Sequence, residues 1–374
     1  MNRARLLQIL SDLVAFPTIA GRDNRALINY VTEHLERAGF SVHRIPSADG
    51  MKEGLLARFG AAGQSGGIVL SAHSDVVPVE GQDWQSAPFE MGRQGSRVTG
   101  RGVTDMKGFI ACVLAYAETL AAHPPARPVM IALSWDEELG CRGIPEMIDH
   151  LIPTLGRPDL CIVGEPTLLR PCIGHKGKAS YLAVARGEAG HSAMAPQFRN
   201  ALHPLMDLGH SLRKIQDEMA SRGARDAMLD PAYSTLHIGT LHGGTALNIV
   251  PDHAEMRFEI RHLPQDDPSA LIGRLGCPDH VTITETGRYP GLDSTPATPE
   301  IAWFCECLDD PQPIKVAFGT EAGYFAALGI PTVICGPGTM EDGHQPDESI
   351  EIVQLEACFA LLQRVFAPAD QRAG

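Results

Sequence analysis

A chain of 374 residues exceeds the size at which one hydrophobic core stops growing, so more than one domain is expected. Its net charge of −14 argues against nucleic-acid and anionic-membrane partners, both of which need basic surface. A hydrophobic content of 44% and a charged content of 20% are those of an ordinary globular protein, excluding a fibrous or disordered chain.

The amino terminus sets Arg3 and Arg5 ahead of apolar residues, but Gln8, Ser11 and Asp12 interrupt the run. Leu6, Ile9, Leu10 and Leu13 form a helical stripe, so the segment reads as the first helix of a globular domain and not as a leader. Asp23 is placed to cap a second helix with Leu27, Tyr30, Val31 and Leu35 on one face, ended by Gly39. Strand-like runs follow at residues 54–59 and 67–73, then a helix over about 108–121, a strand at 128–134, a helix around 144–151 and a strand at 159–165. This alternation predicts an α/β fold with a mixed, largely parallel sheet flanked by helices.

After Glu165 the pattern changes. Residues 178–190 have strand character, 193–220 helical character, 233–244 and 254–264 strand character, and 268–276 helical character. The spacing predicts a smaller α+β domain inserted over residues 177–286, dividing the first domain into 1–176 and 287–374. Helix 299–308 and strand 330–336 return to the first sheet. Nine cysteines, an odd number with no CxxC pair, read as thiols of a reducing compartment; Cys112, Cys161 and Cys335 lie in apolar runs and belong to the core. No run approaches the roughly 18 apolar residues of a membrane span, and a cytoplasmic location is expected.

Acidic and histidine clusters follow the apolar runs: His73 in SAHSD, Asp105 in GRGVTDMKG, Glu137 and Glu138 in SWDEELG, Glu165 in VGEPT, and His344 in GPGTMEDGHQPDE. Carboxyl ends of neighbouring parallel strands share one crevice, so these distant residues can converge. Imidazole and carboxylate donors suit zinc, and a shared Asp can bridge two ions. The glycines around Asp105 might suggest a phosphate cradle, but Asp105 stands where a dinucleotide loop needs glycine, and no GK[ST] occurs. Asp75, two residues after His73, can accept from the second imidazole nitrogen and fix its tautomer. Alone, each motif has a plainer reading: a surface His–Asp pair, or an acidic pair at a solvated helix start. Their joint occurrence favours the metal site.

The segments HSDVVP, GRGVTDMKG, DEELG, GEPT, GHS, FGTEAGYF and GPGTMEDGHQPDE resemble the zinc-dependent amidohydrolase family that includes acetylornithine deacetylase, succinyl-diaminopimelate desuccinylase, aminoacylase and carboxypeptidase G. The resemblance runs from about Leu10 to about Leu361 and is strongest to the acetylornithine deacetylase branch in the last two segments. It implies two divalent metal ions, zinc first, with cobalt or manganese as substitutes, held by His73, Asp105, Glu138, Glu165 and His344. Asp105 would bridge them, with a cis peptide directly after it. Glu137 would be the general base. His191 in GEAGHSAMAP would stabilise the oxyanion across a homodimer interface formed by the inserted domain; the plainer reading is a cap for the helix that follows. Asn248 and Arg261, thirteen positions apart, would meet the substrate amide and α-carboxylate. Glu321 is expected either to pair with a substrate ammonium or to be a structural carboxylate. The implied reaction is hydrolysis of a small N-acyl amino acid, N2-acetyl-L-ornithine above a desuccinylase, aminoacylase, acetylcitrulline or dipeptidase substrate. A non-catalytic metal-binding scaffold is the rival from another class.

Overall fold

The computed structural model describes residues 2–60, 66–276 and 279–368. The chain divides into two compact units, one of residues 1–174, 294–314 and 320–374, the other of residues 175–293 and 315–319. The strand Val281–Tyr289 runs through the boundary expected at residue 286, so the second unit extends past it.

In the first unit the strands Ser41–Pro46, Glu53–Phe59, Val129–Ser134, Ile68–His73, Leu160–Pro166, Thr332–Gly336 and Cys172–His175 lie side by side in that order. The four from Val129–Ser134 to Thr332–Gly336 are mutually parallel, with antiparallel strands on either side. This is the mixed, largely parallel sheet that the alternation predicts. Strands Ile68–His73 and Val129–Ser134 are buried at every residue, as expected of strands covered on both faces. The helix Lys107–Ala117 is buried along its whole length and packs against Arg3–Val14 and Ile352–Phe366; its sequence KGFIACVLAYA has no polar face to give to water. Cys112, Cys161 and Cys335 are buried there, as expected. Asn24 rather than Asp23 is the N-cap residue of helix Arg25–Arg37, while the Asp23 carboxylate accepts from the Arg25 N–H at 2.9 Å.

The second unit is a four-stranded antiparallel sheet ordered Thr235–Gly243, His253–His262, Gly177–Arg186, Val281–Tyr289. Along Gly177–Arg186 burial alternates, and Ala179, Tyr181, Ala183 and Ala185 pack with Leu205, Leu208 and Leu212 of the helix Leu202–Arg222. The small alanines let the helix lie close. The helical stretch expected over 193–220 is broken: a 3₁₀ turn covers Ser192–Gln197, Phe198 is extended, and Asn200 Oδ1 accepts from Leu202 N at 2.9 Å before the α-helix begins. Pro196 and Asn200 together provide the break, one by lacking an N–H and the other by offering a local acceptor. Among the described residues no helix is long and apolar enough to cross a membrane.

Candidate metal centre

The parallel strands of the first unit carry the expected ligands to one end of the sheet. His73 is the last residue of its strand, Glu137 and Glu138 come just after Val129–Ser134, Glu165 sits near the end of Leu160–Pro166, and Thr332–Gly336 leads into the turns bearing His344. Asp105 precedes the buried helix Lys107–Ala117, and the peptide joining it to Met106 is cis, as expected.

Asp105 lies between the two imidazoles. Its Oδ1 is 2.9 Å from His73 Nε2 and its Oδ2 is 3.0 Å from His344 Nε2. Glu138 Oε1 is 3.0 Å from His344 Nε2, and Glu165 Oε1 is 3.6 Å from His73 Nε2. Ligand atoms of His73, Asp105 and Glu138 lie within 4.8 Å of one another, as do those of His73, Glu137 and Glu165. His73, Asp105 and Glu165 are buried, Glu137 and Glu138 partly so, and His344 is exposed.

Four carboxylates share this space with two imidazoles, an excess of negative charge; burial opposes the charged form of Asp105, but hydrogen bonds with His344 and His73 hold it below the carboxylate range, while the other three rise. Burial raises Glu137 and Glu165 well above the carboxylate range and lifts Glu138 to about 7. His344 is raised to about 10 by its hydrogen bonds to Asp105 and Glu138. For His73 burial opposes the charged form, but hydrogen bonds with Asp105 and Asp75 outweigh it and its pKa rises. Divalent cations answer the same excess of charge, and nitrogen and oxygen donors without thiolate are a set that zinc, cobalt and manganese accept. The residues present fit two such ions, with Asp105 shared.

The His73 ring faces both the carbonyl and the carboxylate of Asp75. His73 Nδ1 is 2.9 Å from the Asp75 carbonyl oxygen and 3.5 Å from its Oδ1. The buried carboxylate also accepts the backbone N–H of Glu137 at 3.1 Å and of Glu138 at 3.2 Å, two donors that would otherwise be left without partners. Asp75 therefore orients the acidic pair as well as the imidazole.

Glu321 is 2% exposed, its Oε1 accepts from the Ser134 hydroxyl at 2.6 Å, and burial raises its pKa to about 8. The Ser134 hydroxyl occupies Oε1 of Glu321 and fixes its direction. Cys141, which the motifs do not single out, donates from Sγ to Glu137 Oε1 at 3.3 Å; its place four residues beyond Glu137 is the only signal in the sequence. Arg101 and Glu348, also unremarked in the sequence, are fully buried behind Asp105.

In the second unit, His191 caps the turn Ser192–Gln197, its Nδ1 accepting from Ala193 N at 3.1 Å. With Nδ1 as acceptor, Nε2 carries the proton and remains a donor. Ser192 N donates to Asn248 O at 3.0 Å, so the His191 and Asn248 segments lie side by side, both exposed. Arg261 is held by Glu259 Oε1 at 2.9 Å and donates to Tyr289 Oη at 2.6 Å.

The model of peptidase family M20/M25/M40 matches residues 69–367, a span containing all of these groups. Acetylornithine deacetylase of Proteus mirabilis (strain HI4320) is 31% identical, the match covering 95% of this chain and 94% of the relative. Acetylornithine deacetylase of Myxococcus xanthus is 32% identical, with 96% of each chain covered. The fold is shared with aminopeptidase PepT from Bacillus cereus, at a TM-score of 0.77 and 18% identity over 98% of each chain. A family match that spans most of the chain, and the convergence of its acids and imidazoles, give one conclusion: the chain belongs to peptidase family M20/M25/M40 and is a hydrolase of peptide or N-acyl amino acid amide bonds.

Proposed function

We propose that the chain hydrolyses N2-acetyl-L-ornithine to acetate and L-ornithine with the aid of two divalent ions, zinc first among them. The observation that carries the metal-dependent reading is the Asp105 carboxylate, whose two oxygens face His73 and His344 separately. The substrate rests on relatives about 30% identical over nearly the whole chain. His73, Asp105 and Glu165 would hold one ion, and Asp105, Glu138 and His344 the other.

When bound, such ions supply Lewis acidity, polarising the acyl carbonyl and acidifying water. Glu137 takes the proton from the attacking water as the C–O bond forms, then gives it to the amine nitrogen as the C–N bond breaks. Its raised pKa, caused by burial, suits the second of these transfers. Asp75 holds Glu137 and Glu138 in place through their backbone N–H groups. The partner subunit's His191 would donate from Nε2 to the oxyanion, a contribution of about 3 to 4 kcal/mol in comparable sites. Asn248 lies by the amide, and Arg261, fixed by Glu259 and Tyr289, meets the α-carboxylate, for which its planar fork is suited.

A homodimer through the second unit would supply the partner subunit's His191. The strand Thr235–Gly243 is an outer strand of its sheet and carries Leu241 at 45% exposure, with Leu247 and Ile249 exposed just beyond. An open apolar strand edge is a surface that two-fold pairing covers. Mixing Glu137→Ala with His191→Ala subunits should then restore activity, because one site of each heterodimer keeps both residues. Absence of recovery, with subunit exchange confirmed, would rule out action in trans.

The substrate reading is tested with a panel of N-acetylornithine, N-acetylcitrulline, N-acetylmethionine and N-succinyl-diaminopimelate. The highest kcat/KM is expected for N-acetylornithine, and chelator should remove activity on all four. Preference for another member would replace the substrate and keep the reaction; no chelator-sensitive hydrolysis of any would favour the scaffold.

A further inference from the structure

Behind Asp105 and His344 a buried set of polar groups ties together the loops that bear them. Glu348 is 1% exposed, yet its carboxylate has four donors: Gly102 N at 3.0 Å, Thr104 N at 2.8 Å, Asp105 N at 3.0 Å and an Arg101 guanidinium nitrogen at 2.8 Å. Its backbone carbonyl accepts from Gly100 N at 2.9 Å. Arg101 is 0% exposed; it also donates to Gln345 O at 3.3 Å and to Gln82 Oε1, and lies 4.8 Å from the centre of the Trp84 ring. Gln82 in turn donates to His344 O at 2.9 Å. The circuit from Asp105 N through Glu348, Arg101 and Gln82 to His344 O is continuous. His344 has φ of +60° and Asp347 of +54°, left-handed conformations that non-glycine residues keep only where their surroundings impose them. Asp347 is bound by Gln85 N at 3.0 Å and by the Ser86 hydroxyl at 2.7 Å, closing the same loops from the other side.

We infer that the buried Arg101–Glu348 pair positions the loops of Asp105 and His344 and thereby sets the affinity of the metal position those two ligands share with Glu138. The inference rests on the two-ion reading above. A surface ion pair would be screened and worth little. Here both groups are withdrawn from water, and three of the four Glu348 bonds go to the backbone of the loop that carries Asp105. His73 and Glu165 are fixed by regular strands and do not depend on this circuit. The consequence is asymmetric: one position would lose the support of Asp105 alone, the other that of both Asp105 and His344, so loosening the pair weakens the second ion more than the first. Sequence spacing alone does not reveal it, since 247 positions separate Arg101 from Glu348.

The test is calorimetric titration of metal-stripped protein with zinc, in wild type, Glu348→Gln and Arg101→Lys, with thermal unfolding recorded for each. Wild type should bind two ions. Both variants should bind one ion about 10- to 100-fold more weakly, the range seen when groups that orient ligands are removed, and the other with a smaller loss. The double variant should weaken the second ion by less than the product of the single effects, because the two residues act as one unit. Two ions bound by folded variants with unchanged constants, or equal weakening of both ions, would overturn the inference. Should Glu348→Gln fail to fold, Arg101→Lys decides by the same criteria. Failure of wild type to bind two ions would instead overturn the metal-centre reading, so the two failures are distinguishable.

Discussion

Glu137→Ala is expected to lower kcat by about 10² to 10⁴-fold, the range for removal of a positioned proton-transfer group, while leaving two metal ions per chain. Glu137 lies within reach of His73 and Glu165, so its geometry alone would also permit coordination. What sets it apart from Glu138 is the absence of an imidazole bond: Glu138 shares His344 with Asp105, whereas Glu137 receives the Cys141 thiol. Both carboxylates hang from backbone that Asp75 holds, so truncating one side chain leaves the loop in place. Metal analysis together with kcat separates the roles. Loss of an ion along with turnover would make Glu137 a ligand.

Glu138→Ala should show the converse, with one ion lost before any effect on the other. Its partner His344 is exposed and lies in a loop, so a missing carboxylate is not replaced by neighbouring protein. Proton linkage gives the second half of the expectation. In the metal-free protein His344 titrates at about 10 and Glu138 at about 7, so at neutral pH a bound ion must displace the His344 proton and part of one from Glu138. Affinity should therefore rise with pH, by about tenfold per unit for each proton displaced, and fall as acid refills those sites. Titrations at pH 6, 7 and 8 in buffers of different ionisation enthalpy measure both slope and proton release. A flat profile would show that these groups are not the ligands.

Much of this centre is legible in the sequence because strand ends are. His73, Glu137, Glu138 and Glu165 each follow or close an apolar run, and parallel strands must present their carboxyl ends together, so the convergence follows from pattern. Asp105 and His344 lie in loops without periodicity, and their placement rests on motif resemblance. Side-chain partners were less accessible. Asp75 could be expected near His73, but its turn towards the Glu137 and Glu138 amides depends on where a separate loop passes. The Ser134 partner of Glu321 is 187 positions away and carries no local signal. The Arg101–Glu348 pair joins segments remote in the chain and carries no local signal. Likewise the break between Gln197 and Leu202 needs the competition between Asn200 and the helix ladder, which helical periodicity conceals.

The most direct test of the two-ion hydrolase is activity on N-acetylornithine measured as zinc is returned to stripped protein. Activity should be near zero without metal, rise with added zinc and level off at two ions per chain. Full activity in protein shown by elemental analysis to hold no metal would contradict it.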